Sequence, residues 1–274
     1  MKLFVHILVL LSLWWQSDLL AQTNVSLPER GICAHRGANE THPENTLAAF
    51  REAVRLGAHM VEFDVQITKD KHLVIMHDKS VDRTTNGKGL VSNLTLSEIR
   101  KLDAGSWKSP GFKGEKVPVL KEALAVFPKN IWLNIHLKGN EELGRETAKV
   151  LLSSGRIRQG VIACGKKAER GVKSVSKKIM ICNMERQSNR ELYIQETVKG
   201  EYPFIQLLKK RDDSSLEKDI SLLKKNKVKI NYYFGDSKKD IKKLIGLGID
   251  FILTNKLDQS LKVAEEYGIK RLNQ

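Results

Sequence analysis

The stretch "MVEFDVQITKDKHLVIMH" (residues 60–77) decides how the chain folds. It contains two strand-like runs, "MVEFDVQI" (60–67) and "HLVIMH" (72–77), joined only by "TKDK" (68–71). Parallel strands need a crossover of roughly a dozen residues, so this short link allows only an antiparallel hairpin. Seven further apolar runs follow the same grammar: "GICAH" (31–35), "IWLNIHLK" (131–138), "GVIAC" (160–164), "KIMICN" (178–183), "FIQLL" (204–208), "VKINYYF" (228–234) and "DFILTN" (250–255). Amphipathic stretches separate them, the pattern of successive β-α units around a parallel sheet. Nine strands are one too many for a closed eight-stranded ring, and the hairpin resolves the surplus by leaving one partner outside. The expected fold is a (β/α)8 TIM barrel, for which about 250 residues are typical.

Two helices show the helical period clearly. "PENTLAAFREAVRLGA" (43–58) places Leu47, Phe50 and Val54 on one face, with Pro43 before its start and Gly57 at its end. "DSKKDIKKLIGLG" (236–248) does the same with Ile241, Leu244 and Ile245, closing at Gly248. Residues 78–116, rich in Gly, Ser, Thr and Lys, are too long for a simple connection and read as an inserted subdomain or lid. Following the His77 strand, they fall on the face where barrels carry their active sites.

The first 22 residues, "MKLFVHILVLLSLWWQSDLLAQ", combine Lys2, an apolar run from Leu3 to Trp15 and a small Ala21. They read as a secretory signal peptide (1–21) ahead of a single domain (22–274), with Leu19 the one imperfect position and an uncleaved anchor the alternative. The mature protein is thus expected to be exported, periplasmic or secreted. Cys33, Cys164 and Cys182 sit in apolar runs and read as buried free thiols, with a 164–182 bridge as the alternative. The net charge is +15, and Lys2 and Asp18 cancel within the leader. Such a field favours anionic substrates or an anionic membrane surface. Nucleic acid is not expected, because no aromatic-interleaved basic motif or finger spacing is present.

The chemistry lies at strand ends. Glu62 and Asp64 alternate onto one strand face with Gln66, and two carboxylates a pleat apart repel unless a cation neutralises them. His35 and Arg36 end one strand, His77 another, and His136 and Lys138 share one face of a third with Asn134. Histidine suits proton transfer near neutral pH, and barrel active sites draw on several strands' C-terminal ends. A metal and cationic side chains that hold an anion, with one histidine taking a proton and the other giving one, point to phosphoryl chemistry.

At these residues the chain resembles the glycerophosphodiester phosphodiesterase family. The matching pieces are His35-Arg36-Gly37, Pro43-Glu44-Asn45-Thr46, Glu62-x-Asp64, Thr68-Lys69-Asp70 and His77-Asp78, with weaker echoes at "LDAGSW", "FKGEKVPVLKEAL" and "GLGIDFILTNKLD". The resemblance implies the barrel, the insertion, and hydrolysis of a phosphodiester to a phosphomonoester and an alcohol through a cyclic phosphate. It makes His35 and His77 the acid–base pair, Glu62 and Asp64 metal ligands, and Arg36 and Lys138 phosphate contacts. The family's metal is typically Mg or Ca.

The chain departs from the family in four places. His136 stands where a third ligand Glu is usual, and an imidazole in that set suits Mn, Fe or Zn better than Ca. Tyr232-Tyr233 replace Trp-Thr, with Tyr233 assigned to the substrate side and Tyr232 the alternative. Thr254-Asn255 replace Thr-Asp, and "ACG" (163–165) replaces the expected Ser-Phe.

Several residues read as bland. His42 and His72 are expected to face solvent, and His59 and His6 to be incidental. Glu44 and Asn45 either orient Arg36 or cap the following helix, and Trp107 is either a lid contact or local core. The leading functional reading is an exported, metal-dependent phosphodiesterase acting on a small-molecule or lipid-derived phosphodiester. The alternatives are a lysophospholipase D or sphingomyelinase-D-like enzyme, or a binding protein that retains the pocket without turnover.

Overall fold

The computed structural model describes residues 26–185 and 189–273, so the leader and its cleavage position lie outside the described residues. β1 (Gly31–His35), β2 (Met60–Ile67) and β3 (Leu73–Ile75) open the sheet. β2 and β3 form the antiparallel hairpin, with Val65 opposite Ile75 and Ile67 opposite Leu73. Its four-residue link is tied by Thr68, whose hydroxyl donates to Asp70 (2.6 Å) and accepts from the His72 N–H (2.9 Å). β4 (Trp132–Leu137), β5 (Gly160–Cys164), β6 (Met180–Asn183), β7 (Phe204–Leu208), β8 (Lys229–Tyr233) and β9 (Phe251–Thr254) complete the set. The ring runs β1-β2-β4-β5-β6-β7-β8-β9 and closes through β9 onto β1, all parallel. Val65 pairs with Leu137 on one edge and Ile75 on the other, so β3 occupies the edge that β1 holds lower down, at Met60–Glu62. β3 is therefore the strand outside the eight-stranded (β/α)8 barrel.

The helices α1 (Leu47–Arg55), α2 (Leu96–Lys101), α3 (Leu120–Val126), α4 (Glu141–Ser153), α5 (Lys166–Val175), α6 (Arg190–Lys199), α7 (Leu216–Lys225), α8 (Lys238–Gly246) and α9 (Leu257–Glu265) complete the element list. All but α2 lie on the outside of the ring, where Phe50 and Phe127 pack against outward residues such as Phe63 (ring centroids 5.2–5.7 Å apart). In α1, Phe50 is buried and Leu47 and Val54 pack partly buried against the same core. Its cap is Thr46, whose hydroxyl accepts from the Ala49 N–H, rather than Asn45.

Strand alternation sends the other residues into the barrel, where Met60, Trp132, Phe204 and Phe251 fill the lower end. The same pleat settles the thiols. Cys164 points outward into the helical layer and Cys182 inward, so the two face opposite sides of the sheet and are not bridged, and all three cysteines are buried.

Residues 78–116 hold α2, two 3₁₀ turns (Val91–Asn93 and Pro110–Phe112) and a small core of Val81, Val91, Ile99 and Ala104 built on Val74 and Met76 at β3. The segment rests on the β1–α1 connection: Lys108 Nζ donates to the Asn39 carbonyl (2.8 Å) and Phe112 packs on His42 (4.9 Å). Trp107 lies outside that small core, 40% exposed, with its indole N–H on the Ala104 carbonyl.

His59 is not incidental. It is buried at the lower end of the barrel, accepts from the Ile32 N–H at Nδ1 (3.1 Å) and bonds the Lys270 carbonyl at Nε2 (2.9 Å), tying β1 to the C-terminal segment. A Cβ on Gly31 would lie 2.2 Å from its ring, so this close approach requires glycine there. Burial pulls the His59 pKa below the ordinary imidazole value, and the Lys270 bond offsets this only in part. As pH falls the unfolded chain takes up this proton first, so His59 makes stability fall below about pH 6.5. Urea unfolding at about pH 7.5 and about pH 5.5 should show a larger acid loss in wild type than in His59→Gln, which cannot charge. Equal losses would show that His59 is not the source.

Candidate active site

β2 carries the site's negative charge. Glu62 and Asp64 face the barrel interior at its C-terminal end, 2% and 0% exposed. β4 runs beside it in register, Glu62 opposite Asn134 and Asp64 opposite His136, so the polar face of each strand meets the other. His136 Nδ1 lies 3.6 Å from Glu62 Oε1 and 3.4 Å from Asp64 Oδ1, and Lys138 Nζ lies 3.2 Å from the same Asp64 oxygen. Asn134 sits a pleat deeper, buried, its amide without a hydrogen-bond partner among the described residues.

One ligand atom each from Glu62, Asp64 and His136 falls within 4.8 Å of the others. Asp64 Oδ1 is buried and points into this cluster, where its near neighbours are the His136 ring and the Lys138 ammonium. Two buried carboxylate oxygens and an imidazole nitrogen within 4.8 Å of one another fit a divalent cation. Burial works against charge on both Asp64 and His136. The His136 ring, Lys138 and Arg36 nevertheless hold Asp64 far below the usual carboxylate range, and the two carboxylates hold His136 above the usual imidazole value.

The β1–α1 connection supplies the flanking groups. Arg36 and Asn45 both adopt left-handed backbone conformations (φ 55° and 59°) and are joined by a bond from the Asn45 N–H to the Arg36 carbonyl (3.0 Å). Asparagine tolerates this region, whereas arginine does so at a cost of about 1–3 kcal/mol. The turn aims the Arg36 N–H at Glu62 Oε2 (3.1 Å) and its guanidinium at Glu44 (2.7 Å) and Asp64 (3.4 Å). Glu44 thus orients Arg36. Asn45 holds the Arg36 backbone through its own N–H but does not cap the helix, and its side chain grips Asp64, donating from Nδ2 to Oδ2 (2.9 Å) and accepting from the Asp64 N–H (3.3 Å).

His35 ends β1 with Nε2 3.9 Å from Glu62 Oε2 and Nδ1 2.7 Å from Asn255 Oδ1. Tyr233 packs beside its ring (centroids 5.1 Å), whereas Tyr232 turns outward and hydrogen-bonds Asp212, so Tyr233 is the tyrosine on the site side. His77 follows β3. Its backbone is pinned by Gln66, whose amide donates to the carbonyls of Met76 (3.0 Å) and Asp78, and its Nδ1 meets Asp78 Oδ1 at 2.6 Å.

Arg83, from the inserted segment, is the residue that pattern reading did not reach. Its guanidinium bonds Asp78 (2.6 and 3.1 Å) and both oxygens of Glu44 (2.8 and 2.9 Å), so one side chain braces the partners of both His77 and Arg36. Its place in "DKSVDRTT", an alternating acidic and basic run, is the only hint in the sequence. His42 is half-buried and His72 exposed, both outside the cluster.

Residues 35–259 match the model of the glycerophosphoryl diester phosphodiesterase family. A glycerophosphodiester phosphodiesterase of Bacillus altitudinis is 31% identical over 252 residues, covering 86% of this chain and 98% of its own. One from Caldanaerobacter subterraneus is 51% identical over 108 residues, 39% of this chain and 44% of its own. Alignments of about 50% identity thus span only 44–56% of the relatives concerned. Among solved structures, an Oleispira antarctica phosphodiesterase in complex with the product sn-glycerol-3-phosphate superposes with a TM-score of 0.76 at 25% identity, over 86% of this chain and 96% of that one.

Hydrogen bonds from Arg83 are the main cause holding the Asp78 carboxyl down at about 2, against the opposing effect of partial burial and with His77 adding to it. In Arg83→Gln, a ¹³C NMR carboxyl titration should find Asp78 moved up towards the ordinary carboxylate range. An unmoved Asp78 would show that His77 alone holds it.

Proposed function

The chain belongs to the glycerophosphoryl diester phosphodiesterase family, and from that premise we propose that it hydrolyses glycerophosphodiesters to a phosphomonoester and an alcohol. The observation that carries the reading is the ligand cluster of Glu62, Asp64 and His136, flanked by Arg36 and Lys138 and approached by His35. The three clustered residues would hold one divalent cation. When bound, it would supply charge neutralisation and Lewis-acid polarisation at a phosphate oxygen. The imidazole favours Mn, Fe or Zn, while the family resemblance favours Mg or Ca.

Arg36 and Lys138 approach the acidic cluster from two elements and would hold the phosphate's remaining oxygens. A neighbouring hydroxyl of the substrate attacks phosphorus, forming a P–O bond and a cyclic phosphate while the bond to the departing alcohol breaks. One of His35 and His77 takes the proton of the attacking hydroxyl, and the other gives a proton to the leaving oxygen. Water then opens the ring with the two roles reversed. Each histidine has its Nδ1 engaged, by Asn255 or by Asp78, so Nε2 is the atom through which each would exchange its proton.

The leader-like residues 1–21 support export of the mature chain, and the net charge of +15 supports work at an anionic membrane surface on lipid-derived diesters. Tyr233 beside His35 would line the alcohol side.

His35→Ala and His77→Ala are each expected to lower glycerophosphocholine hydrolysis by about 10²–10⁴-fold, with metal binding retained. Full activity in either variant would remove that residue from the chemistry. Elemental analysis of wild type beside His136→Glu and His136→Ala should show a shift towards Mg or Ca in the first and loss of metal in the second. The same metal at the same occupancy in all three would show that His136 is not a ligand.

A further inference from the structure

We infer that Asn255 and Asp236 act together as positioning residues that fix the tautomer of His35, keeping its proton on Nδ1 and leaving Nε2 free to face the acidic cluster. The inference deepens the proposed function and rests on its reading of His35 as a proton-transfer group.

Thr254 Oγ1 accepts from the Lys256 N–H (2.9 Å) and from Ser260 Oγ (3.0 Å), so its own hydrogen goes to Asp236 Oδ1 (2.8 Å). The same carboxylate oxygen accepts the Asn255 N–H (2.8 Å). Asp236 is thereby locked against the end of β9. Its other oxygen, Oδ2, lies 3.0 Å from the Asn255 side-chain amide. A carboxylate offers only acceptors, so the amide must turn its NH₂ towards Asp236 and its oxygen the other way.

That oxygen, Asn255 Oδ1, meets two groups: Asn39 Nδ2 (2.7 Å), which donates, and His35 Nδ1 (2.7 Å). An amide oxygen can only accept, so His35 Nδ1 must carry a hydrogen. In the neutral ring Nε2 is then the bare nitrogen, and it is the atom on the Glu62 side. Three loops, after β1, β8 and β9, thus meet on one amide to set one proton.

The same geometry explains why a neutral amide fits at 255. A carboxylate there would face Asp236 at about the 3.0 Å now spanned by the hydrogen bond, and like charges at that distance are strongly unfavourable. The Asp236 carboxylate thus acts on the imidazole through a neutral amide, which relays its orienting effect.

The test uses the full chain with ¹⁵N-labelled histidine, reading the His35 ring nitrogens by NMR and hydrolysis of glycerophosphocholine by steady-state kinetics. Wild type should show His35 protonated at Nδ1. Asn255→Leu should give a mixture of tautomers and a kcat lower by about 10–100-fold at little changed KM. Asn255→Asp alone should also lose activity through repulsion with Asp236. Asn255→Asp combined with Asp236→Asn should recover both the tautomer and most of the rate, because the swap restores every donor–acceptor match; thermal melts of all variants identify any that fail to fold. An unchanged Nδ1–H signature in Asn255→Leu, or no recovery in a folded double variant, overturns the inference. If the tautomer changes while turnover does not, the positioning stands and the proton-transfer role of His35 falls instead.

Discussion

Two carboxylates, Glu62 and Asp64, sit a pleat apart on one strand, buried and facing the same way. At the 4.8 Å scale of their cluster, two like charges repel by about 3 kcal/mol at an effective dielectric of 20, before any cost of leaving water. Much of the surrounding structure compensates for that pair. Arg36 is forced into a left-handed turn to reach both acids, Asn45 is turned the same way to grip Asp64, and β4 sends His136 and Lys138 across from the next strand. Such a pair costs stability relative to apolar packing, and its presence in the barrel mouth supports the proposed function.

The compensation extends beyond first contacts as an alternating chain of charge. Asp64 leads to Arg36, Arg36 to Glu44, Glu44 to Arg83, Arg83 to Asp78, and Asp78 to His77. Four carboxylates (Glu44, Glu62, Asp64, Asp78) therefore meet three fixed cations (Arg36, Arg83, Lys138), leaving one negative charge. The inserted segment contributes Arg83 to this chain, so it is a brace for the site as well as a cover for the β1–α1 connection.

What the sequence disclosed was local in character. The nine strands and the hairpin at 68–71 follow from periodicity and link length, and Glu62, Asp64, His136 and Lys138 could be grouped because each pair shares one strand's alternation. What escaped it depends on partners far apart in the chain. Asn45 looks like a helix cap because it sits beside one, but its partner Asp64 lies across the sheet, and Thr46 takes the cap. His59 looked incidental because its two partners, Ile32 and Lys270, are separated by nearly the whole domain. Arg83 and the Asn255–Asp236 pair belong to connections whose shape no periodicity encodes. The cysteines are a further case: alternation within each strand leaves a 164–182 bridge open, and only the assembled sheet turns Cys164 outward and Cys182 inward.

In the proposed function the paired carboxylates of β2 hold a metal together with His136. The most direct measurement is an anomalous difference map from crystals soaked in Mn²⁺ with data collected above and below the manganese edge. One strong peak bounded by Glu62, Asp64 and the His136 ring is expected. A map with no peak there, or a peak held by the carboxylates with His136 turned away and paired elsewhere, would contradict it.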